Sequence, residues 1–324
     1  MKRALITGVT GQDGSYLTEF LLAKGYEVHG VVRRTSSLER SRLKHLFSNT
    51  EIYGQQLFLH YADLDDPTTL RRVLFKVKPE EIYHLAGQSH VGLSFEIPES
   101  TCELTAMGTL RLLEMIRDLP EPTRLFHAAS SEIFGQPAES PQSELTPMAP
   151  VNPYGCAKAF ATRMVAVYRS AFGIFGCNGI MYNHESPRRG ENFVTRKICR
   201  AAAEIKRGRL KELVLGDLGA SRDWGDARDY VRGMWLMLQQ PQPGDYVLAT
   251  GRLHSVRDIL DVAFQTVQLN WPEWVRQDAR FLRPSEPMRL IGNPSKAREK
   301  LGWVPESTFG DLIREMTLAE LGGT

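Results

Sequence analysis

Apolar residues recur along the chain in two rhythms. Short runs with β-branched members read as buried strands, and stretches with apolar positions three and four apart read as helices. Residues 4–7 form the first such run. From Ser15 the rhythm turns helical, with Leu17, Leu21 and Leu22 on one face, and Gly25 is placed to stop that helix. Further strands are expected at 27–32, 56–61, 81–85 and 124–128, with helices over 67–76 and 102–117 between them. Strands that alternate with helices form a parallel sheet covered on both faces. The expectation is therefore an α/β chain built on a doubly wound parallel sheet. Ligands of such sheets sit beyond the carboxyl ends of the strands. That edge gathers Gly11, Arg33, Asp63, Ala86 and Ser130, which are far apart in sequence.

The second half has a different texture. Residues 176–182 supply another strand, 183–190 a polar loop, and 194–207 a basic amphipathic helix. Segments 222–224 and 281–284 read as loops. A length of 324 residues suits about two domains. The division expected is a dinucleotide-binding domain over 1–177, to which 226–252 returns, and a smaller α/β domain mainly over 178–324.

Composition narrows the function. Lys and Arg total 40 against 38 Asp and Glu, which argues against bulk nucleic-acid binding or a polybasic membrane role. Basic residues fall in local pairs, which suits a phosphorylated small molecule. The first residues lead straight into a strand, with no leader pattern, and no apolar run approaches the ~20 residues that span a bilayer. Cys102, Cys156, Cys177 and Cys199 lack metal-ligand spacing and read as reduced thiols of a cytoplasmic protein.

Candidate chemistry begins at Gly8, Gly11 and Gly14, spaced GxxGxxG between the first strand and the first helix. This is the Rossmann arrangement that cradles a dinucleotide pyrophosphate. Gly8 allows the tight turn, Gly11 lets the backbone approach the phosphates, and Gly14 lets helix and strand pack closely. About 20 residues on, where an acidic residue would hold a ribose 2′-hydroxyl, stand Arg33 and Arg34. Two arginines suit a 2′-phosphate, so NADP is favoured over NAD; two solvated surface arginines are the alternative. Asp63 ends a strand and suits the adenine amino group, or it belongs to the Asp65–Asp66 group that caps the next helix. Small residues follow the fourth strand at Ala86-Gly87-Gln88-Ser89, where a coenzyme would pass.

Tyr154 and Lys158 form YxxxK and share a helix face. An ammonium beside a phenol favours the phenolate, so Tyr154 can exchange a proton with a substrate hydroxyl. Ser130, 24 positions earlier at a strand end, would hydrogen-bond the same oxygen. If the chain stays extended past Ser130, the strand period puts Glu132 on the same side, as a second base. A Glu132 that caps the next segment or faces solvent is the alternative.

With the glycine turn, Ser130, Tyr154 and Lys158 in view, the chain resembles the extended short-chain dehydrogenase/reductase family. More closely it resembles GDP-mannose 4,6-dehydratases over nearly its whole length. Besides the glycine turn, that likeness rests on Arg33-Arg34-Thr35-Ser36-Ser37, Ser131-Glu132-Ile133-Phe134-Gly135, Asn183-His184-Glu185-Ser186-Pro187-Arg188-Arg189-Gly190 and Arg222-Asp223-Trp224-Gly225. The resemblance implies that His184 and Arg189 join Lys158 on the coenzyme, with Thr10, Gln12, Asp13, Leu64, Leu85, Ala86, Gln88 and Ser89 also lining its site. It implies that Asn183, Lys197, Arg222 and Arg283 hold GDP, that Val194 packs on guanine, and that Glu286 accepts from the ribose. It marks Glu132 as the acid that epimerases usually lack. It also implies a homo-oligomer, a tetramer, because such enzymes use the long polar segment after Arg34 across subunits. The chain departs from the family pattern at Gly87, Ser100, Ser130, Asp226 and 161–163 without losing a catalytic group.

The reaction implied is an internal redox dehydration of GDP-mannose with a regenerated NADP. One rival is an enzyme on the same scaffold, a sugar-nucleotide epimerase or a dehydratase acting on another GDP-sugar; the second, from another class, is a silent NADP-binding regulatory protein. The second is disfavoured by an intact Ser130, Tyr154 and Lys158.

Overall fold

A computed structural model describes residues 1–33, 41–281 and 289–322. The first half runs β1 (Arg3–Thr7), α1 (Gln12–Ala23), β2 (Glu27–Val32), α2 (Lys44–Phe47), β3 (Leu57–Tyr61), α3 (Pro67–Val77), β4 (Glu81–His84), α4 (Val91–Glu96), α5 (Pro98–Cys102), α6 (Gly108–Arg117), β5 (Arg124–Ser130) and α7 (Pro153–Phe172). The second half runs β6 (Phe175–Met181), β7 (Asn183–Glu185), α8 (Val194–Lys206), β8 (Leu213–Leu215), β9 (Ser221–Arg222), β10 (Trp224–Asp226), α9 (Ala227–Leu238), β11 (Asp245–Leu248), β12 (His254–Ser255), α10 (Val256–Thr266), β13 (Val275–Gln277), α11 (Ser295–Leu301) and α12 (Phe309–Gly322).

Seven parallel strands form the central sheet in the order β11-β6-β5-β4-β1-β2-β3. The strand period of two sorts its side chains between the faces. Ala4, Ile6, Val28 and Phe126 meet Leu17 and Leu21 of α1 and Met234 and Met237 of α9. Leu5, Val31, Ile82 and Leu125 meet Leu70 and Leu74 of α3, Leu112 and Ile116 of α6, and Val165 of α7. Strand order reverses between β1 and β4, and that switch point opens the crevice beyond the strand ends. A second apolar cluster lies apart from the sheet. Ile198, Ala202 and Ile205 of α8 pack with Ile259, Leu260 and Phe264 of α10 and Leu312, Ile313 and Met316 of α12.

Several boundaries differ from the sequence expectation for identifiable reasons. α1 begins at Gln12 rather than Ser15, because an extended Gly11 is its N-cap and Gly14 lies in its first turn. The helix expected over 102–117 is reached through α5 and a π-helical stretch, Glu103–Met107. The 183–190 and 222–224 segments are not wholly loop: β7 pairs with β10 in parallel, and β9 with β12 antiparallel. Strands of two or three residues are too short to carry a period. No helix among the described residues is long and apolar enough to cross a membrane.

Candidate active site

The glycine turn is built by steric necessity. Gly8 has φ +73°, a conformation L side chains rarely adopt, and a Cβ there would stand 2.9 Å from the Ala86 backbone nitrogen. A Cβ on Gly14 would stand 2.3 Å from the Gly8 carbonyl oxygen and 2.7 Å from Val9 Cα. Gly11 donates its N–H to that same Gly8 carbonyl at 2.9 Å and caps α1 with no side-chain hydrogen bond. The first turn of α1 is thus reachable by an anion at the switch point. The cradle fits a dinucleotide pyrophosphate.

Ser130 closes β5, and Tyr154 and Lys158 lie buried on α7, whose N-terminus is fixed by Asn152 and Pro153. Ser130 faces the Tyr154 phenol and acts to lower its pKa. The chain does not stay extended past Ser130, contrary to the strand-period expectation for Glu132. Residues Ser131–Ile133 form a 3-10 turn, and the Glu132 N–H donates to Ser130 Oγ at 3.3 Å. The turn still buries the Glu132 side chain, whose Oε2 accepts from Asn152 Nδ2 at 2.8 Å. The Asn152 Oδ1 accepts from the Gly155 N–H at 2.7 Å. One asparagine therefore ties Glu132 to the helix start that carries Tyr154. The side-chain bond of Asn152 to Glu132 leaves no local signal in the sequence.

Lys158 lies one turn after Tyr154 on the same face of α7. Its Nζ donates to the Ala128 carbonyl at 2.6 Å and lies 5.9 Å from the centre of the Tyr154 ring. Burial pushes the Tyr154 phenol up to about 12; Ser130 and Arg189 work against this, and the Glu132 and Asp13 charges work with it. Burial likewise pulls the Lys158 ammonium down to about 8. Beneath it, burial and then the Lys158 charge keep His84 and His127 neutral.

The remaining candidates fall into groups. Arg33 is exposed at the end of β2 and acts electrostatically on Asp63. Asp63 accepts from the Leu64 N–H at 2.8 Å; it is Asp66 that caps α3, through the Thr69 N–H at 3.1 Å. Leu64 is buried, and Leu85 and Ala86 lie against the back of Gly8. The Gln88 amide is spent on the His90 backbone and on Thr101 Oγ1, and Ser89 is exposed. Arg42, which sequence reasoning did not single out, donates to the Thr10 carbonyl at 3.2 Å and to the Arg188 carbonyl at 2.7 Å. Arg34, Arg283 and Glu286 lie outside the described residues.

Gln12, Asp13 and His184 meet one another. His184 Nε2 lies 2.8 Å from Asp13 Oδ2, and Gln12 Nε2 donates to the His184 carbonyl at 3.0 Å. Burial alone would lower the His184 imidazole, but Asp13 outweighs it and holds it above the usual range, with Arg189 opposing. Burial alone would raise the Asp13 carboxyl, but the His184 charge holds it below the usual range. Arg189 pairs with Glu185 at 3.1 Å and lies over the Phe193 ring.

Asn183 opens β7, and half-buried Val194 opens α8 against the second cluster. Lys197 Nζ donates to the Val214 carbonyl at 2.9 Å. Arg222 stands on β9 opposite His254 and donates to the Ser221 carbonyl at 2.9 Å. Its neighbour Asp223 is fully buried and accepts from the N–H groups of Thr250, Gly251 and Gly292 at 2.8, 2.9 and 3.3 Å. That anchor role also has no local signal.

Residues 5–316 match the family of GDP-mannose 4,6 dehydratase. The chain is 52% identical to GDP-mannose 4,6 dehydratase 2 of Arabidopsis thaliana over 99% of its length and 87% of that protein's. It is 48% identical to GDP-mannose 4,6-dehydratase of Vibrio cholerae, over 99% and 94%. Among solved structures, a UDP-glucose 4-epimerase of Thermus thermophilus in complex with NAD superposes with a TM-score of 0.84 at 25% identity, covering 99% of this chain and 100% of that one. A dTDP-glucose 4,6-dehydratase of Streptomyces venezuelae gives 0.86 at 24% identity, over 98% and 96%, a likeness of fold.

Proposed function

Since the chain belongs to the GDP-mannose 4,6-dehydratase family, we propose that it converts GDP-D-mannose to GDP-4-dehydro-6-deoxy-D-mannose, with NADP held at the glycine turn. The seven-stranded lobe takes the coenzyme and the lobe of α8, α10 and α12 takes the sugar nucleotide. The observation that carries this reading is the junction of Ser130, Glu132 and Tyr154 through Asn152. It brings two proton-handling groups of different chemistry to one buried strand end.

Bound at the turn, NADP supplies a hydride acceptor and a positive ring that offsets the burial holding the Tyr154 proton. Tyr154 takes the proton of the sugar's 4-hydroxyl, and Ser130 orients that oxygen. A ketone at the fourth carbon acidifies the proton on the fifth. Glu132 removes it, the 6-hydroxyl leaves as water with that proton, and the hydride taken from the fourth carbon would return to the sixth while the fifth takes a proton from solvent, so that the coenzyme ends as it began. Arg222 holds the diphosphate together with Arg283, which lies outside the described residues, and Asn183, Lys197 and Val194 hold the rest of the GDP, since a guanidinium suits a diphosphate. The place of Arg33 directly after β2, where a ribose 2′-phosphate would lie, supports NADP over NAD.

Two coarser expectations also find support. Leu93, Phe95, Ile97, Met107, Phe160 and Val167 are exposed on α4, α7 and the segments between α4 and α6, elements that pack on one another and would offer apolar surface to a second copy. The four cysteines are free thiols, in keeping with a cytoplasmic setting.

Incubation with GDP-mannose and NADP, followed by mass spectrometry, tests the assignment. The expected product is lighter than the substrate by one water. A product of unchanged mass would assign an epimerase instead.

A further inference from the structure

Three side chains that similarity would place on the coenzyme are spent on one another. Gln12 is buried, and both ends of its amide are used. Its Nε2 donates to the His184 carbonyl at 3.0 Å and to Asp13 Oδ1 at 3.0 Å, and its Oε1 accepts from Ser186 Oγ at 2.8 Å. His184 is 8% exposed and equally committed. Its Nδ1 lies 2.7 Å from the Tyr182 carbonyl oxygen and its Nε2 2.8 Å from the Asp13 carboxylate. A carbonyl and a carboxylate oxygen only accept, so both ring nitrogens donate and the ring is an imidazolium. Stacking on Tyr230, with centroids 4.5 Å apart and planes at 21°, holds the ring in place. It cannot turn to a ligand without breaking both hydrogen bonds.

Asp13 is the member in need of explanation. It is the acidic residue in the first turn of α1, the place where a helix offers its N–H groups to a phosphate. A bare carboxylate there would repel the coenzyme's own phosphates. The imidazolium cancels that charge. The other charge acting on both groups is Arg189, whose guanidinium is itself paired with Glu185.

We propose that His184 serves the coenzyme through Asp13 and not by touching it: it neutralises the carboxylate at the phosphate end of α1 and, with Gln12, ties the glycine turn to the strand that begins at Asn183. His184 and Gln12 are then positioning residues. The pair also reaches the chemistry, because the Asp13 and Arg189 charges act on the Tyr154 phenol. The inference rests on the glycine turn being the coenzyme site.

A double-mutant cycle on the full chain tests it. NADP dissociation constants are measured at fixed pH and salt for wild type, His184→Gln, Asp13→Asn and the double variant. His184→Gln is expected to weaken binding about tenfold, with Asp13→Asn within about threefold of wild type and the double variant restored to the Asp13→Asn value. A double variant as weak as His184→Gln would make His184 a direct ligand, and a His184→Gln that binds like wild type would leave the carboxylate harmless; either overturns the proposal. A parallel 15N NMR titration needs no His184 variant. The His184 ring is expected to lose its proton at higher pH in wild type than in Asp13→Asn, and equal titrations would also overturn the proposal. Wild type that does not bind NADP would sink the coenzyme reading instead, while the NMR comparison would still decide the pair.

Discussion

Glu132 and Lys158 are both buried beside Tyr154, but they meet different surroundings. Glu132 has an amide donor, Asn152 Nδ2, aimed at its carboxylate. Lys158 has one carbonyl acceptor and a neutral histidine pair beneath it, so burial pulls its ammonium down to about 8. A carboxylate so held is oriented and keeps a second oxygen for the substrate. Glu132→Gln preserves the size and much of the hydrogen bonding while removing the base. Turnover is expected to fall by about 10²–10⁴-fold, the usual contribution of a positioned base, with NADP and GDP-mannose still bound. In deuterated water the wild-type product should carry deuterium on the fifth carbon. A Glu132→Gln enzyme that makes labelled product at close to the wild-type rate would remove Glu132 from the mechanism.

The β2–β3 pair is where acid should act on the fold. His29 Nδ1 lies 2.9 Å from His60 Nε2, and His29 Nε2 lies 2.8 Å from Glu27. A hydrogen bond between two imidazoles needs a lone pair, so one ring must be neutral. Burial, then the charges of His29 and Lys76, pull His60 down to about 4. Its folded value is thus below its unfolded value near 6.5. Between those values the unfolded chain binds the extra proton, so stability falls as pH drops from about 6.5 towards 4. Urea midpoints measured across that range should decline, and His60→Gln should flatten part of the decline. An unchanged slope in the variant would place the acid sensitivity elsewhere, for instance at His84 or His127, which burial also depresses.

At the scale of the molecule, the notable surface is the one that α4, α5 and α7 leave uncovered. Phe160 and Val167 are seven apart on α7 and so share a helix face, and both are exposed. Leu93, Phe95 and Ile97 are also exposed, on or directly after α4, an element that packs against α7. The feature of the chain that first suggests an oligomer, the polar segment after Arg34, lies outside the described residues as far as Arg40. Its continuation folds inward, with Leu43 and Leu46 buried in the core. Sedimentation of wild type is expected to show an oligomer, and Phe160→Glu with Val167→Glu should yield smaller species with an unaltered circular dichroism spectrum. A wild-type monomer, fully active at working concentration, would refute this.

The sequence by itself determined the class of the fold, the glycine turn and the Tyr154–Lys158 helix. Each of these is written in short-range spacing: a period of two or 3.6, three glycines, two residues on one helix face. β2 was legible to its ends because its apolar run and its bounding turns are local. Tertiary structure decided what depends on distant partners. Asp13 and His184 are 171 residues apart, and neither position hints at the other. The strands β7 and β10 exist only because they pair with each other, and Asp223 is an anchor only because Thr250, Gly251 and Gly292 come to it. Of the two grounds on which the sequence pointed to Glu132, the resemblance and the strand period, the second does not hold, since a 3-10 turn and Asn152 place it beside Tyr154. Spacing along a chain encodes which face a residue takes, but the charge and hydrogen bonds it meets there come from whatever the fold packs against that face.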